Sequence, residues 1–300
     1  MHSAQTSPGG GSPDRKQLAR LPDELSDRIR GQGPAVTTVA AALQRFRLQL
    51  QPQTRLLFLG PTGVGKTELV RAFTDALFGP DRLFAFDCSE FDSPETLPVL
   101  LGDRHGDRGR FGALADYPAG TLLFDEVEKG TEFHDLLLQV LEPGRVTLAC
   151  GEVVDLSRFV IVCTGNIGSA ETLDATDSNF RTLERHILDR AKQTLRPEIL
   201  NRFDDLVVFR ALEFDAQREI VELKLREYLA SIPYAPLSHD PAVVDFLLRH
   251  GMDRRYGARP LLRAIRRFVG NAVAAQLFAG GDGHGTLVVD REQQQLMLRP

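Results

Sequence analysis

No apolar run in this chain is long enough to span a bilayer, so nothing in it reads as a membrane segment. Cysteine is scarce: Cys88, Cys150 and Cys163 are the only three in 300 residues. They show no metal-ligand spacing, and an odd number cannot all pair, which points to a reducing compartment. The seven histidines are scattered and form no metal motif. Neither sign of charge dominates: 36 Lys and Arg face 41 Asp and Glu, for a net charge of −5. That balance argues against a general nucleic-acid binder. Arginine greatly outnumbers lysine, a bias that reflects the genome before it reflects function. There is no internal repeat and no coiled-coil heptad. The N-terminal string MHSAQTSPGGGSPDR lacks the apolar core of a signal peptide, so a cytoplasmic address is expected. Its Ser, Pro and Gly content predicts a flexible tail over 1–16, or a docking segment.

What is present is a glycine-rich loop. Residues 60–67 read GPTGVGKT and follow the apolar run RLLFLG. Gly60, Gly63 and Gly65 let the backbone turn its N–H groups inward as an anion nest, with Pro61, Thr62 and Val64 completing the loop. The helix that follows points its positive end at the same place. Lys66 can reach the outer phosphates of a nucleotide, and the Thr67 hydroxyl can ligate Mg²⁺. An ordinary glycine turn is the competing reading. The strand–loop–helix order favours ATP with Mg²⁺.

Five short runs rich in branched and aromatic residues are expected strands: 55–60, 83–87, 121–125, 159–164 and 206–209. Most are continuously apolar, as in strands covered on both faces. Helical patterns over 67–78 and 133–141 separate them, and 17–50 reads as helical with a break at 31–34. The expectation is an α/β fold with a five-stranded parallel, doubly wound sheet over 17–210. A smaller, mainly helical domain is expected over 211–300, with helices at 215–230, 241–250 and 260–279 and a hairpin of 285–290 with 295–299.

The third strand ends in two acids, Asp125 and Glu126. Beside a phosphate loop, Asp125 can hold the Mg²⁺ shell and Glu126 can polarise an attacking water. The fourth strand runs into Asn166, whose amide can orient that water, or can simply form a turn. Arg202 precedes the fifth strand. It can stabilise charge on a transferring phosphoryl group, or satisfy a helix C-terminus. Arg259 opens a helix of the second domain, where its charge opposes the dipole; a phosphate bound between the domains would account for it. The arginines 263, 266 and 267 belong to a helix that turns Leu262, Ile265, Val269 and Val273 to a core, so they read as a solvated or subunit-facing surface.

The strings DRIRGQGPAV, FLGPTGVGKTEL, FDCSEF, LLFDEVEK, LLLQVLEPGRVT, TGNIGS, RPEILNRFDDLVVF and RRYGARPLLRAI occur in one order from about Leu21 onward. Together they resemble a Clp-type AAA+ ATPase, specifically the second ATPase module of ClpB- and ClpA-like unfoldases. The resemblance implies roles. Lys66 and Thr67, followed by Glu68, match the Walker A end, and Asp125 with Glu126 matches Walker B. Asn166 matches the first sensor and Arg259 the second. Arg202 matches an arginine finger acting on the neighbouring subunit. Arg30 and Gln32 lie in the segment that borders the adenine. A homo-oligomeric ring, usually a hexamer, follows, acting on a protein substrate or complex.

The stretch 102–112, GDRHGDRGRFG, departs from the family's Gly–aromatic–Val–Gly gripping loop. It is shorter and carries charge where an aromatic ring would supply contact area. Phe111 aligns beyond the loop and is the one aromatic that could substitute. A solvated turn is an equal reading of this stretch. No counterpart of the first ATPase module, the coiled-coil middle insertion or the protease-docking loop is found in these residues, which lowers the expectation of a stand-alone disaggregase and of a proteolytic partner. A nucleotide-gated scaffold or adaptor ring, and a nucleic-acid-dependent ATPase, stand as the alternatives to protein remodelling.

Overall fold

The computed structural model describes residues 14–91, 93–130, 132–169, 172, 180–234, 238–253, 256–290, 292 and 294–299. The chain forms two units, one made of Met1–Gly60 and Gly65–Phe209, the other of Pro61–Val64 and Arg210–Pro300.

The first unit opens on α1 (Arg15–Arg28), whose first turn is capped by the Asp14 carboxylate accepting from the Lys16 N–H at 2.9 Å. Most of the expected tail therefore lies outside the described residues, while Arg15 and Lys16 are already helical. α2 (Gly33–Arg47) follows, with Pro34 in its first turn, where a missing N–H costs nothing. Then come β1 (Thr54–Leu59), α3 (Lys66–Phe78), β2 (Leu83–Asp87), the short α4 (Leu97–Leu101) and α5 (Gly109–Gly112), and β3 (Gly120–Asp125). α6 (His134–Leu141), the two-stranded β4 (Arg145–Thr147) and β5 (Val153–Asp155), and β6 (Phe159–Gly165) follow. α7 (Phe180–Thr194), α8 (Pro197–Leu200) and β7 (Asp205–Val208) complete the unit.

The five long strands form one parallel sheet in the order β2-β3-β6-β1-β7. β6 is buried at every position, and β1 at all but one. Alternation sends Leu57, Leu59, Leu122, Phe124, Ile161 and Cys163 into one core with α6 and α7. The strand residues between them face the other way, where α2 and α3 pack on the sheet. Both faces are covered, which is why the strands read as unbroken apolar runs. The order carries the carboxyl ends of β1, β3 and β6 to one edge, where ligands bind in open α/β sheets.

Several elements had no sequence expectation, among them the short α4, α5 and α8, the longer α7, and the strands β4 and β5. α7 is polar overall and buries only Leu183, Ile187 and Ala191. β4 and β5 are three residues each, too short for alternation to show.

The second unit holds α9 (Phe214–Ser231), β8 (Ser238–His239), α10 (Pro241–Gly251), α11 (Leu261–Phe278), β9 (Thr286–Asp290) and β10 (Gln295–Arg299). β9 and β10 pair antiparallel as expected, and β8 adds to β9 in parallel. Val221, Leu225, Phe246, Leu247, Ile265 and Val269 centre its core. One assignment is corrected: Leu262 is 45% exposed and Leu261 takes the inward place, because the helix begins at Leu261 and its buried stripe runs Leu261, Ala264, Ile265, Val269. Arg263, Arg266 and Arg267 are exposed, with Arg267 lying over the Phe268 ring at 4.2 Å. No helix among the described residues is long and apolar enough to cross a membrane.

Candidate nucleotide site

β1 delivers the chain to Gly60, whose φ of 134° only glycine adopts readily. A Cβ there would also stand 2.3 Å from the Phe209 carbonyl oxygen. Gly63 and Gly65 likewise have positive φ, and Gly65 is the N-cap of α3. The loop thus ends in a helix N-terminus whose first N–H groups have no intrahelical acceptor. Thr67 and Glu68 stand half-buried in that first turn, and Glu68 lies 3.8 Å from Arg28. The segment leading into α2 comes close to this helix start: Ile29 would touch a side chain at Gly65 at 4.0 Å. Beside it Arg30 is half-buried and Gln32 buried.

Lys66 is 7% exposed. Its Nζ donates to the Gly60 carbonyl at 2.5 Å and to Asn166 Oδ1 at 3.1 Å. Burial pushes the ammonium down to about 8, against an opposing pull from Asp125, Glu128 and Glu126.

Those acids come from the end of β3. Asp125 Oδ1 accepts from the Thr164 hydroxyl of β6 and from the Glu126 N–H at 3.2 Å. Glu126 has φ 57°, a left-handed conformation uncommon for a residue with a side chain. Such strain persists where the surroundings over-determine it. Here the Val127 N–H donates to the Thr164 carbonyl at 3.0 Å, and both carboxylate oxygens of Glu126 are held. Oε1 accepts from Asn166 Nδ2 at 3.2 Å, and Oε2 pairs with the Lys129 ammonium. One amide, that of Asn166, therefore links the loop lysine to the candidate base. Cys88 lies within reach of the same charges, and burial raises its thiol far above the range of a reactive cysteine.

The structure thus brings Lys66, Asp125, Glu126 and Asn166 together with three residues to which the sequence reading gave no role: Thr164, Glu128 and Lys129. The string LLFDEVEK contains two of them, but spacing alone does not say which acid after a strand turns inward.

Arg202 is engaged elsewhere. Its Nη1 donates to the Leu138 and Glu142 carbonyls at the end of α6, the second at 2.7 Å, and its Nε lies 3.8 Å from the Glu142 carboxylate. In this arrangement it satisfies the C-terminal carbonyls of a helix in its own chain. Arg259 belongs to the second unit, in the turn before α11, where its N–H donates to the Tyr256 carbonyl at 3.1 Å.

Among the described residues no cluster of three or more His, Cys, Asp or Glu is set to hold a metal by itself. Mg²⁺ in nucleotide sites is shared between few protein ligands and phosphate oxygens. A hydroxyl at Thr67, a carboxylate at Asp125 and a buried cation at Lys66 suit that pattern.

The stretch 102–112 is a closed turn. The Asp103 N–H donates to the Asp107 carbonyl at 2.9 Å, and Asp103 Oδ1 accepts from the N–H groups of His105 and Asp107. Arg108 forms a two-pronged pair with Glu152 at 2.9 and 2.6 Å. Phe111 is fully buried and stacks on Phe86 at 5.2 Å, so it cannot serve as a gripping aromatic in place of the missing one.

Comparison with known proteins agrees with this architecture. The family model "AAA domain (Cdc48 subfamily)" matches residues 51–206, and the model of the C-terminal D2-small domain of ClpB matches 212–288. Chaperone protein ClpB 1 of Nostoc sp. is 37% identical over 303 residues, covering 94% of this chain and 34% of its own length. Chaperone protein ClpB 2 of Thermosynechococcus vestitus is 38% identical over 306 residues, with 95% and 34% covered. The chain therefore spans about a third of the curated relatives it matches. Among solved structures, Hsp104 bound to ATPγS and FITC-casein superposes with a TM-score of 0.84 at 28% identity, over 96% of this chain and 52% of that one. The S. cerevisiae Hsp104:casein complex gives the same score. On the matched models, which together cover most of its length, the chain belongs to the AAA+ ATPase family and is built like the C-terminal ATPase module of ClpB.

Proposed function

We propose that this chain binds and hydrolyses ATP with Mg²⁺, and that it acts as a homo-oligomeric ring, six-membered in the family pattern, to remodel a protein substrate or complex. One observation carries the reading most directly: the Asn166 amide joins the buried Lys66 ammonium to the Glu126 carboxylate. A buried lysine surrounded by acids, on a glycine loop at a helix start, is arranged to receive phosphate. Gly60 to Gly65 would cradle the phosphates, Thr67 and Asp125 would hold the metal, and Arg30 and Gln32 would border the base. When bound, the metal supplies charge neutralisation at the phosphate oxygens. Glu126 would take the proton of the attacking water, with Asn166 fixing the orientation of its carboxylate. Arg202 is proposed to serve the neighbouring copy's nucleotide, and Arg259 to answer to nucleotide state from the second unit. A cytoplasmic setting suits the three free cysteines.

The test is steady-state ATP hydrolysis by wild type and Glu126→Gln, with nucleotide affinity measured in parallel. We expect a loss of about 10²-fold or more in turnover with affinity retained. Equal turnover in the variant would remove Glu126 from the mechanism.

A second reading is favoured by the turn at 102–112. A closed, charged loop pinned by Arg108 offers no aromatic grip, and so suits a nucleotide-gated scaffold ring that does not thread polypeptide. Unfolding of a fluorescent substrate, dependent on ATP and abolished by Glu126→Gln, would rule this reading out.

A further inference from the structure

The acid pair at the end of β3 is followed by a second glutamate, Glu128. Its Oε1 accepts from the backbone N–H of Asn166 at 3.1 Å. Its Oε2 is buried, with no hydrogen-bond partner among the described residues. A carboxylate oxygen buried that way is costly, so its presence calls for a compensating role. The end of β6 is shaped around it. Gly165 has no positive φ to explain it, yet a Cβ at that position would stand 3.0 Å from Glu128 Oε2. Glycine here supplies room for a carboxylate. The turn that presents Glu128 is itself fixed, by the Val127 N–H on the Thr164 carbonyl and the Lys129 N–H on the Glu126 carbonyl at 2.9 Å.

We propose that Glu128 is a positioning residue, clamping the Asn166 backbone so that its amide head meets Lys66 and Glu126 together. The amide head has one acceptor and one donor face in use, toward the lysine and the carboxylate respectively. A rotation of the Asn166 backbone would carry it off both. Glu128 holds the N–H from the β3 side, and β6 holds the residue from the other. The clamp is a geometric claim, and only its effect on turnover rests on the hydrolysis reading above.

The test uses the full chain and two variants. Glu128→Ala removes the acceptor; Glu128→Gln keeps an oxygen for the Asn166 N–H and removes the charge. In nucleotide-free protein, amide hydrogen exchange at Asn166 should quicken at least about 10-fold in Glu128→Ala and stay near wild type in Glu128→Gln. In turnover, Glu128→Ala should lower kcat about 10- to 100-fold while affinity for a fluorescent ATP analogue changes little. Glu128→Gln should recover most of that loss. Glu128→Ala placed on Asn166→Ala should add nothing further, because both changes break one linkage. Unchanged exchange at Asn166 in Glu128→Ala overturns the clamp. So does a Gln variant as poor as Ala with weakened nucleotide affinity, which would assign Glu128 an electrostatic action on Lys66 instead. If wild type fails to hydrolyse ATP, the functional reading falls while the exchange experiment still decides the clamp. Should Glu128→Ala not fold, Gly165→Ala crowds the same carboxylate and should quicken Asn166 exchange in the same direction.

Discussion

Lys66 shows how a residue suited to a ligand burdens the protein without it. Its ammonium titrates at about 8 when folded, while the unfolded chain keeps that proton until about 10.4. Between those values the unfolded state binds more protons, so stability rises with pH across the window. Below it, the charged and buried amine costs the nucleotide-free protein about 3 kcal/mol. We therefore expect the difference in urea stability between wild type and Lys66→Met to move toward wild type by about 1–3 kcal/mol from pH 7.5 to 10. A flat difference would mean that the amine is solvated. Arg202 makes a second point at this scale. Its hydrogen bonds to the end of α6 give it a structural use in the single chain. Arg202→Ala should lower chemical stability by about 1–2 kcal/mol, quite apart from any effect on turnover. An unaltered urea midpoint would show that the cap contributes nothing. The Asn166 amide was readable from the sequence as either a sensor or a turn residue. Its two side-chain partners lie 100 and 40 positions away, so only the folded sheet brings them to it, while the Asn166 backbone carbonyl also accepts from Ser169 in the turn that follows.

At the scale of elements, the sheet order fixes the site. β1, β6 and β3 are neighbours, so the loop after β1, the amide after β6 and the acids after β3 arrive side by side. The strands could be read in advance because each is a dense apolar run with helical pattern between. α7 escaped although its stripe is regular, with Leu183, Ile187 and Ala191 four residues apart, because the helix is polar overall and only those three positions are buried. The β1–β7 junction is especially intolerant. At Gly60 both the φ of 134° and the nearby Phe209 carbonyl exclude a side chain. Gly60→Ala should cost more than about 2 kcal/mol, or prevent folding, as read by thermal melting of the nucleotide-free protein. A wild-type melting temperature would show that the loop has an alternative path.

For the whole molecule, the decisive question is whether the site is completed by another copy. With Mg²⁺–ATP, Glu126→Gln should run in light scattering at about six times the 33.3 kDa of one chain. A monomer under those conditions would remove the ring. Mixing distinguishes a shared site from a self-contained one. Arg202→Ala and Lys66→Ala are each expected to be inactive alone. Together they should regain activity, because an intact Arg202 on one subunit would face an intact loop on the next. No recovery in mixed rings would confine Arg202 to its role as a helix cap.

The sequence by itself determined the glycine loop, the parallel sheet, the acids at a strand end and the family, since each is written in neighbouring residues or in a local period. It also showed that the stretch 102–112 lacks a gripping aromatic. Only the tertiary structure decided that Phe111 is a core residue, that Arg202 sits on α6 and that Glu128 turns inward against Asn166. Those outcomes depend on which distant backbone groups a side chain meets after the strands align. Local spacing carries no information about such partners.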